Sequence, residues 1–297
     1  GRARITEIDI SEIKKRIENN EVAVVPGFQG LSKENRITTL GRGGSDLTAV
    51  AIAGALSADR CEIYTDVDGI YTCDPRIVSK AKKLDKVTYE EMLELASQGA
   101  RVLQARSVEL AKNHGVRVEV KSAFTDTPGT QVVSEDEILE KEVVSGISYS
   151  SDEAKITLRR VKDQPGVAAG IFGPLADASV NVDMIVQNVS EDGKTTDLTF
   201  TVTAKDLNHA KEVLSEKKSK IGFDELVSDS NLSKISIVGV GMRSNTGVAK
   251  TMFNTLAKKN INIKVISTSE IKISVLIDTE YTELALRALH SAYGLDQ

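Results

Sequence analysis

Tryptophan is missing from this chain, and aromatic residues make up only 4% of its 297 positions. With a hydrophobic fraction of 40%, the core must be built from Val, Ile, Leu and Ala. Cysteine is scarce as well. Cys61 and Cys73 are the only two and form no CxxC pair. That excludes a disulfide framework and a Cys-type zinc site, and it fits a reducing, cytoplasmic setting. The three histidines, His114, His209 and His290, share no metal-ligand spacing. No residue is assigned to a metal, and no Ser–His–Asp set is arguable. No run of apolar residues reaches the roughly 18 needed to span a bilayer. Positive charge is not in excess either: 38 Lys+Arg against 43 Asp+Glu gives −5. Nucleic acid and anionic membranes are therefore not expected as partners. Residue 1 is Gly, with no signal-peptide pattern behind it. The expectation is a processed chain, or one that begins partway through a longer protein.

At about 150 residues per domain, the length predicts roughly two domains. The first half alternates helical and strand-like segments. Ile10, Ile13 and Ile17 recur at helical spacing over 7–19. Glu21–Pro26 (EVAVVP) reads as a short buried strand, and Gly27–Gly30 as a turn. Leu47–Leu56 is apolar on nearly every side and reads as a helix inside a layered core. Cys61–Asp66 is the next strand, followed by helices near Tyr89–Ser97 and Val102–Asn113, a stop at Gly115 and a strand over Val116–Val120. This alternation implies an α/β domain with a largely parallel sheet and helices on both faces. Thr125–Thr130 is a turn. In Ser134–Glu142 six of nine residues are charged, which reads as a linker or short exposed helix.

The second half repeats itself. Shifted by 81 residues, Gly166-Val167-Ala168 falls on Gly247-Val248-Ala249, Phe172 on Phe253, and Asn181 on Asn262. Later helices align at a shift of 75, as Ala210 with Ala285, so the second copy has the shorter hairpin. Each copy reads β-α-β-β-α, the ferredoxin-like order. The expected domains are 1–135, a linker over 136–148, and two repeats over 149–231 and 232–297.

Two motifs carry chemistry. Thr38–Asp46 reads TTLGRGGSD and precedes the apolar helix. Its glycines allow close backbone approach, Ser45 or Asp46 suits an N-cap, and the helix start favours an anion. Arg42 adds a planar fork for a carboxylate or phosphate. A plain turn with a cap needs one glycine, not three around an arginine. Thr65–Arg76 reads TDVDGIYTCDPR and starts where the strand from Cys61 should end. Ligands of parallel α/β sheets sit beyond strand carboxyl ends. Asp66 and Asp68 are placed for a magnesium–phosphate group or a ribose, Tyr71 offers a ring and Arg76 a cation. There is no GxxxxGK[ST] loop and no HRD or DFG set. Phosphoryl transfer by positioning and charge fits both motifs.

These motifs, followed by the duplicated β-α-β-β-α unit, resemble the bacterial aspartate kinases with tandem ACT domains. KDQPG (162–166), NVDMIVQN (181–188) and ISTSEIKISVL (266–276) match that family's regulatory pattern as well. The resemblance covers essentially the whole chain. It implies an amino-acid-kinase-like parallel-sheet domain followed by two ferredoxin-like (βαββαβ) ACT domains. The implied reaction moves the ATP γ-phosphoryl to the β-carboxylate of L-aspartate, with Mg2+, at the head of lysine, threonine and methionine synthesis. By resemblance, Arg42, Ser45 and Asp46 bind or orient aspartate. Thr65, Asp66, Tyr71 and Arg76 contact the nucleotide. Arg101 stands where the family has a nucleotide-binding lysine, a change from point charge to planar fork. Lysine and/or threonine would act as effectors on a homo-oligomer joined through its ACT domains. In the first repeat they would meet Asp163, Val167, Ala168, Asn181, Val182, Asp183 and Gln187. In the second they would meet Val248, Asn262, Ile263, Thr268, Ser269 and Glu270. Asp163-Gln164-Pro165 aligns with Ser244-Asn245-Thr246, so the second copy lacks the acidic residue.

The resemblance also sets an expectation for the front. Family members open with a strand and a K-F-G-G loop, and neither is in this chain. The kinase domain is expected to be its C-terminal part, with exposed edges and apolar faces. The competing reading is an amino-acid-sensing subunit with an inactive kinase part. A kinase for another amino acid, such as glutamate, fits the tandem repeats less well. The second repeat is also expected either to lack a final strand or to take one from a neighbouring segment.

Overall fold

The computed structural model describes residues 3–97, 102–138, 142–189 and 193–297. They form two compact units. The first gathers residues 1–148, 238–248 and 293–297, and the second 149–237 and 249–292.

In the first unit α1 (Ser11–Glu18) is an exposed helix. β1 (Gln29–Leu31) and β2 (Ile37–Thr39) form an antiparallel hairpin. α2 (Gly44–Leu56) follows, burying Leu47, Val50, Ala51 and Ala53. The sheet comprises β3 (Cys61–Thr65), β4 (Lys86–Thr88), β5 (Val118–Ser122) and β6 (Thr130–Val133) in the order β3-β5-β6-β4. α3 (Tyr89–Ser97) and α4 (Ala105–His114) complete the unit. Gly115 ends α4 in the left-handed region at φ 62°, the stop that its position announces. β3 runs parallel to β5 with Cys61 opposite Val118, so Cys61, Ile63, Val118 and Val120 point into one aliphatic core with Val50, Met92, Val108 and Val132.

Two expectations fail here. Glu21–Pro26 is not a strand, and Val22 and Val24 are 90% exposed. An apolar run becomes a strand only where a neighbour accepts its backbone bonds, and none of the described strands pairs with it. Gly27–Gly30 is only partly a turn, since Gln29 and Gly30 open β1. The sheet is largely parallel, as expected, with one antiparallel pairing. β4 pairs parallel with β6, but β5 and β6 are joined by a short turn and pair antiparallel, as hairpin connections require.

The second unit carries the duplication. The first copy is β7 (Gly146–Lys162), α5 (Val167–Asp177), β8 (Asp183–Val189), β9 (Thr195–Thr203), α6 (Leu207–Glu216) and a short α7 (Lys218–Ile221). The second is β10 (Glu225–Val238), α8 (Val248–Lys258), β11 (Val265–Thr268), β12 (Lys272–Asp278) and α9 (Thr282–Ala292). All six strands form one sheet in the order β11-β12-β10-β7-β9-β8. β7 is 17 residues long, and only Glu153–Lys162 pairs with β9. Its earlier part lies beyond β9, while β10 flanks β7 on the other side. The two repeats are thus joined through their long strands, β7 and β10, at the centre of the sheet. Phe200 and Phe172 meet edge-on at 5.3 Å inside a core with Ile156, Leu158, Ile171, Leu175 and Leu214. Among the described residues no helix is long and apolar enough to cross a membrane.

Burial pushes the Cys61 thiol up to about 11 and the Cys73 thiol up to about 12. Thiolate is the reactive form. The folded chain is therefore expected to leave an aromatic disulfide reagent unreacted at pH 8, and to release two equivalents of chromophore once denatured. Rapid reaction of either thiol in the folded chain would contradict this burial.

Candidate functional site

The glycine-rich turn is fixed from below. Leu40 is buried, its N–H donates to the Phe28 carbonyl at 2.9 Å, and its own carbonyl accepts from Arg106 at 3.0 Å. Gly41 and Gly43 then take left-handed backbone at φ 84° and 71°. A Cβ on Gly43 would overlap the Gln104 stem, and one on Gly44 would press on Leu40 and Phe28 at 3.0 Å. Gly43 is thus required twice, by φ and by space, Gly41 by φ and Gly44 by space. Thr48 braces the first turn of α2, donating to the Gly44 carbonyl at 2.7 Å and accepting from the Phe28 N–H at 3.2 Å.

The helix cap differs from expectation. Gly43 is the N-cap and no side chain caps α2. Ser45 and Asp46 already lie inside the first turn, because a left-handed glycine closes the turn one step earlier than a Ser or Asp cap would. The Gly44 N–H already donates to the Gly41 carbonyl at 2.9 Å, so the N–H groups that follow it in the turn are the ones left to an anion. Arg42 is exposed, and no side chain among the described residues bonds its guanidinium. Asp46 is half-buried. Burial raises its carboxyl above the usual range, against the opposing pull of the Ser45 hydroxyl at 3.4 Å.

The second motif leaves the carboxyl end of β3. The Thr65 hydroxyl donates to Asp66 at 3.1 Å. Ile70 and Thr72 sink into the unit, with Ile70 N–H bonded to the Thr130 hydroxyl at 2.8 Å. Tyr71 donates to Asp68 at 2.9 Å, and Lys83 stands 3.5 Å from the same carboxylate. Burial, then Asp68, holds the Tyr71 hydroxyl above its ordinary pKa. Arg76 is exposed and forks onto Asp74 at 3.0 and 2.7 Å, which pulls the Asp74 carboxyl below its usual range. Phe124 follows β5 beside this end, 81% exposed, and the neighbouring Ala123 N–H bonds the Thr65 carbonyl at 2.8 Å. Arg101 lies outside the described residues.

The sequence reading missed Gln104, Arg106, Lys83 and Phe124. None lies in a motif, and only the fold brings them to one. An exposed Phe in a chain so poor in aromatics is the one signal that was available.

In the second unit, Asp163 is exposed just after β7, and its N–H donates to the Lys194 carbonyl at 2.9 Å. Gly166, at φ 92°, opens α5, and no side chain caps the turn holding Val167 and Ala168. Asn181 and Val182 precede β8, and Gln187 is exposed on it. Asp183 is already engaged. Its Oδ2 meets Lys234 Nζ at 2.6 Å and its Oδ1 accepts from the Met184 N–H at 2.8 Å. Lys234 also meets Glu153 at 3.1 Å. Burial opposes ionisation of Asp183, but Lys234, the Met184 bond and Lys272 outweigh it and hold the carboxyl below its usual range. In the second copy Val248 is buried at the start of α8. Asn262 and Ile263 precede β11, Thr268 ends it, and Ser269 and Glu270 form the exposed turn to β12.

Known proteins resemble this chain throughout. The amino acid kinase family model matches residues 1–122, and two ACT domain models match 156–218 and 235–293. An aspartate kinase of Stutzerimonas stutzeri is 55% identical over 99% of this chain and 72% of its own length. An aspartokinase of Helicobacter pylori is 52% identical over 99% of this chain and 73% of its own. Among solved structures, Clostridium acetobutylicum aspartate kinase superposes with a TM-score of 0.84 at 27% identity, covering 95% of this chain. Escherichia coli aspartokinase III in complex with aspartate and ADP gives 0.80 at 28%, also over 95%. The same enzyme with lysine and aspartate gives 0.76 at 29%. This chain spans 65%, 63% and 62% of those three solved chains.

Proposed function

This chain belongs to the aspartate kinase family, and from that premise we propose that TTLGRGGSD and TDVDGIYTCDPR are the aspartate and nucleotide subsites of one phosphoryl-transfer centre. The observation that carries the reading is the exposed Arg42 fork, without a side-chain partner among the described residues, on a glycine-built helix start that no side chain caps. A dicarboxylate substrate needs such a cation and such N–H groups. Ser45 and Asp46 complete the subsite, with Asp46 facing the substrate ammonium. Thr65, Asp66 and Tyr71 line the nucleotide side, and Arg76 and Arg101 supply cations for its phosphates.

In the reaction a β-carboxylate oxygen of aspartate attacks the γ-phosphorus. The bond from that phosphorus to the β-γ bridging oxygen breaks and ADP leaves with the electron pair. The chain itself forms no covalent bond, so its work is alignment and charge neutralisation. Magnesium bound to nucleotide takes one or two carboxylates and keeps waters. Asp66, which accepts from the Thr65 hydroxyl and meets no cation among the described residues, suits that role. Incubation with ATP, magnesium, aspartate and hydroxylamine tests the reading, since hydroxylamine traps an acyl phosphate as hydroxamate. The absence of both hydroxamate formation and ADP binding would overturn it.

The tandem repeats bind lysine and/or threonine in this proposal, in a cytoplasmic homo-oligomer joined through them. An effector held between repeats shifts the population toward an inactive arrangement only by its differential affinity for it. Both oxygens of Asp183 are engaged, so the effector ammonium falls to Asp163, and its carboxylate to the α5 start. A charged hydrogen bond contributes about 1.5–3 kcal/mol. Asp163→Ala is expected to weaken effector binding roughly 10- to 100-fold while leaving ADP affinity unchanged. Calorimetric titration with lysine and threonine checks this, and unchanged binding of both would remove Asp163 from the site.

A further inference from the structure

One buried carboxylate stands outside everything above. Glu91, in the first turn of α3, is 2% exposed. Its Oε2 accepts from the Thr88 N–H and hydroxyl at 3.1 Å each, and Thr88 in turn accepts from the Glu91 N–H at 3.1 Å. That is a capping box, and a capping box uses one oxygen. The other oxygen, Oε1, reaches two distant segments. It accepts from the Val240 N–H at 3.0 Å and from the Ser145 hydroxyl.

Val240 lies in the link between β10 and α8. Ser145 precedes β7, and its N–H bonds the Val238 carbonyl at 2.8 Å. Gly239 and Gly241 lie so close to the 142–143 backbone that a Cβ on either would overlap a carbonyl oxygen there. Two residues on, the Ile147 N–H donates to the Thr72 carbonyl at 2.7 Å. Thr72 belongs to TDVDGIYTCDPR and is itself tied to Lys82 through the Thr72 N–H and hydroxyl, at 2.8 and 3.0 Å. A continuous set of bonds thus runs from Glu91 through Ser145 and Ile147 into the 65–76 loop.

We propose that Glu91 is a positioning residue for phosphoryl transfer: it clamps 142–145 against 238–241, and the clamped backbone holds Thr72 and with it the nucleotide loop. The proposal rests on the assignment of 65–76 to the nucleotide.

The test is amide hydrogen exchange on the full chain with and without Glu91→Gln, together with ADP–magnesium titration. The amide nitrogen of glutamine cannot accept, so part of the clamp is lost. Exchange at Ile147 and Val240 is expected to rise at least tenfold, and ADP affinity to fall roughly five- to tenfold. The β5 amides should keep their protection. Ser145→Ala, which leaves the carboxylate intact, should act in the same direction with a smaller change. Unchanged protection in both variants overturns the proposal, as does equal loss of protection across β5, which marks general unfolding. Opened amides with ADP affinity intact overturn it too, while leaving the nucleotide assignment standing. If the unsubstituted chain binds no ADP, the nucleotide assignment falls and takes this inference with it.

Discussion

Arg42→Ala is expected to weaken aspartate binding roughly 30- to 1,000-fold, because removing one partner of a desolvated charge pair costs about 2–4 kcal/mol. Arg42 sits between two left-handed glycines, and its side chain makes no bond to the described residues. Its side chain supports nothing structural, so the substitution should shift the folding free energy by no more than about 0.5 kcal/mol. The two effects separate cleanly. Titration with aspartate in the presence of ADP–magnesium reads the first, and thermal unfolding reads the second. Arg42→Lys restores the charge without the planar fork and should recover only part of the loss. A fall in affinity below threefold for Arg42→Ala would place the substrate carboxylate elsewhere.

What the sequence made legible follows from range. The glycine-rich turn depends on residues adjacent in the chain, so its shape could be read from GRGG alone. Its cap could not be assigned correctly, because Gly43 closes the turn against Gln104, which is distant in sequence. The duplication was legible because each repeat buries its own aliphatic stripe, and Ile171, Leu175, Leu198 and Phe200 mark that stripe at fixed spacing. The joining of the repeats through β7 and β10 was only half legible, since the strands can be counted but their neighbours cannot. β4 and β6 went unseen because three and four residues give too little alternation to register. Glu21–Pro26 failed for the opposite reason, having the composition of a strand and no described partner. The Glu91 clamp was invisible, because Thr88 and Glu91 read as an ordinary helix start and nothing local points to Ser145 or Val240.

Lys234→Met is expected to destabilise the second unit by about 3–5 kcal/mol, the cost of leaving a buried carboxylate without its cation. The Lys234 side chain is 6% exposed and that of Glu153 9%, so this pair is largely removed from solvent. Asp183, at 49%, is partly screened and contributes less. Guanidinium unfolding should show an earlier midpoint at unchanged slope. Adding Glu153→Gln removes the stranded charge and should return a large part of the loss. Acid supplies a second readout. The folded Asp183 carboxyl lies below its usual range, so its contribution is complete above the unfolded value of about 3.9 and disappears as pH falls through the folded value. The unsubstituted chain should therefore lose stability on acidification below about pH 4, and Lys234→Met should lose less over that window. A destabilisation under 1 kcal/mol would mean that water or rearrangement relieves Glu153. The position of this ion pair gives it weight beyond stability. Lys234 sits on β10, Glu153 on β7 and Asp183 at the start of β8, where Met184 holds a left-handed φ of 46° and the pairing with β9 shifts register. One cation thus fixes the irregular start of the strand proposed to face the effector, and fixes it from the strand that opens the other repeat. Loss of Lys234 should accordingly weaken effector binding even under conditions where the unit stays folded.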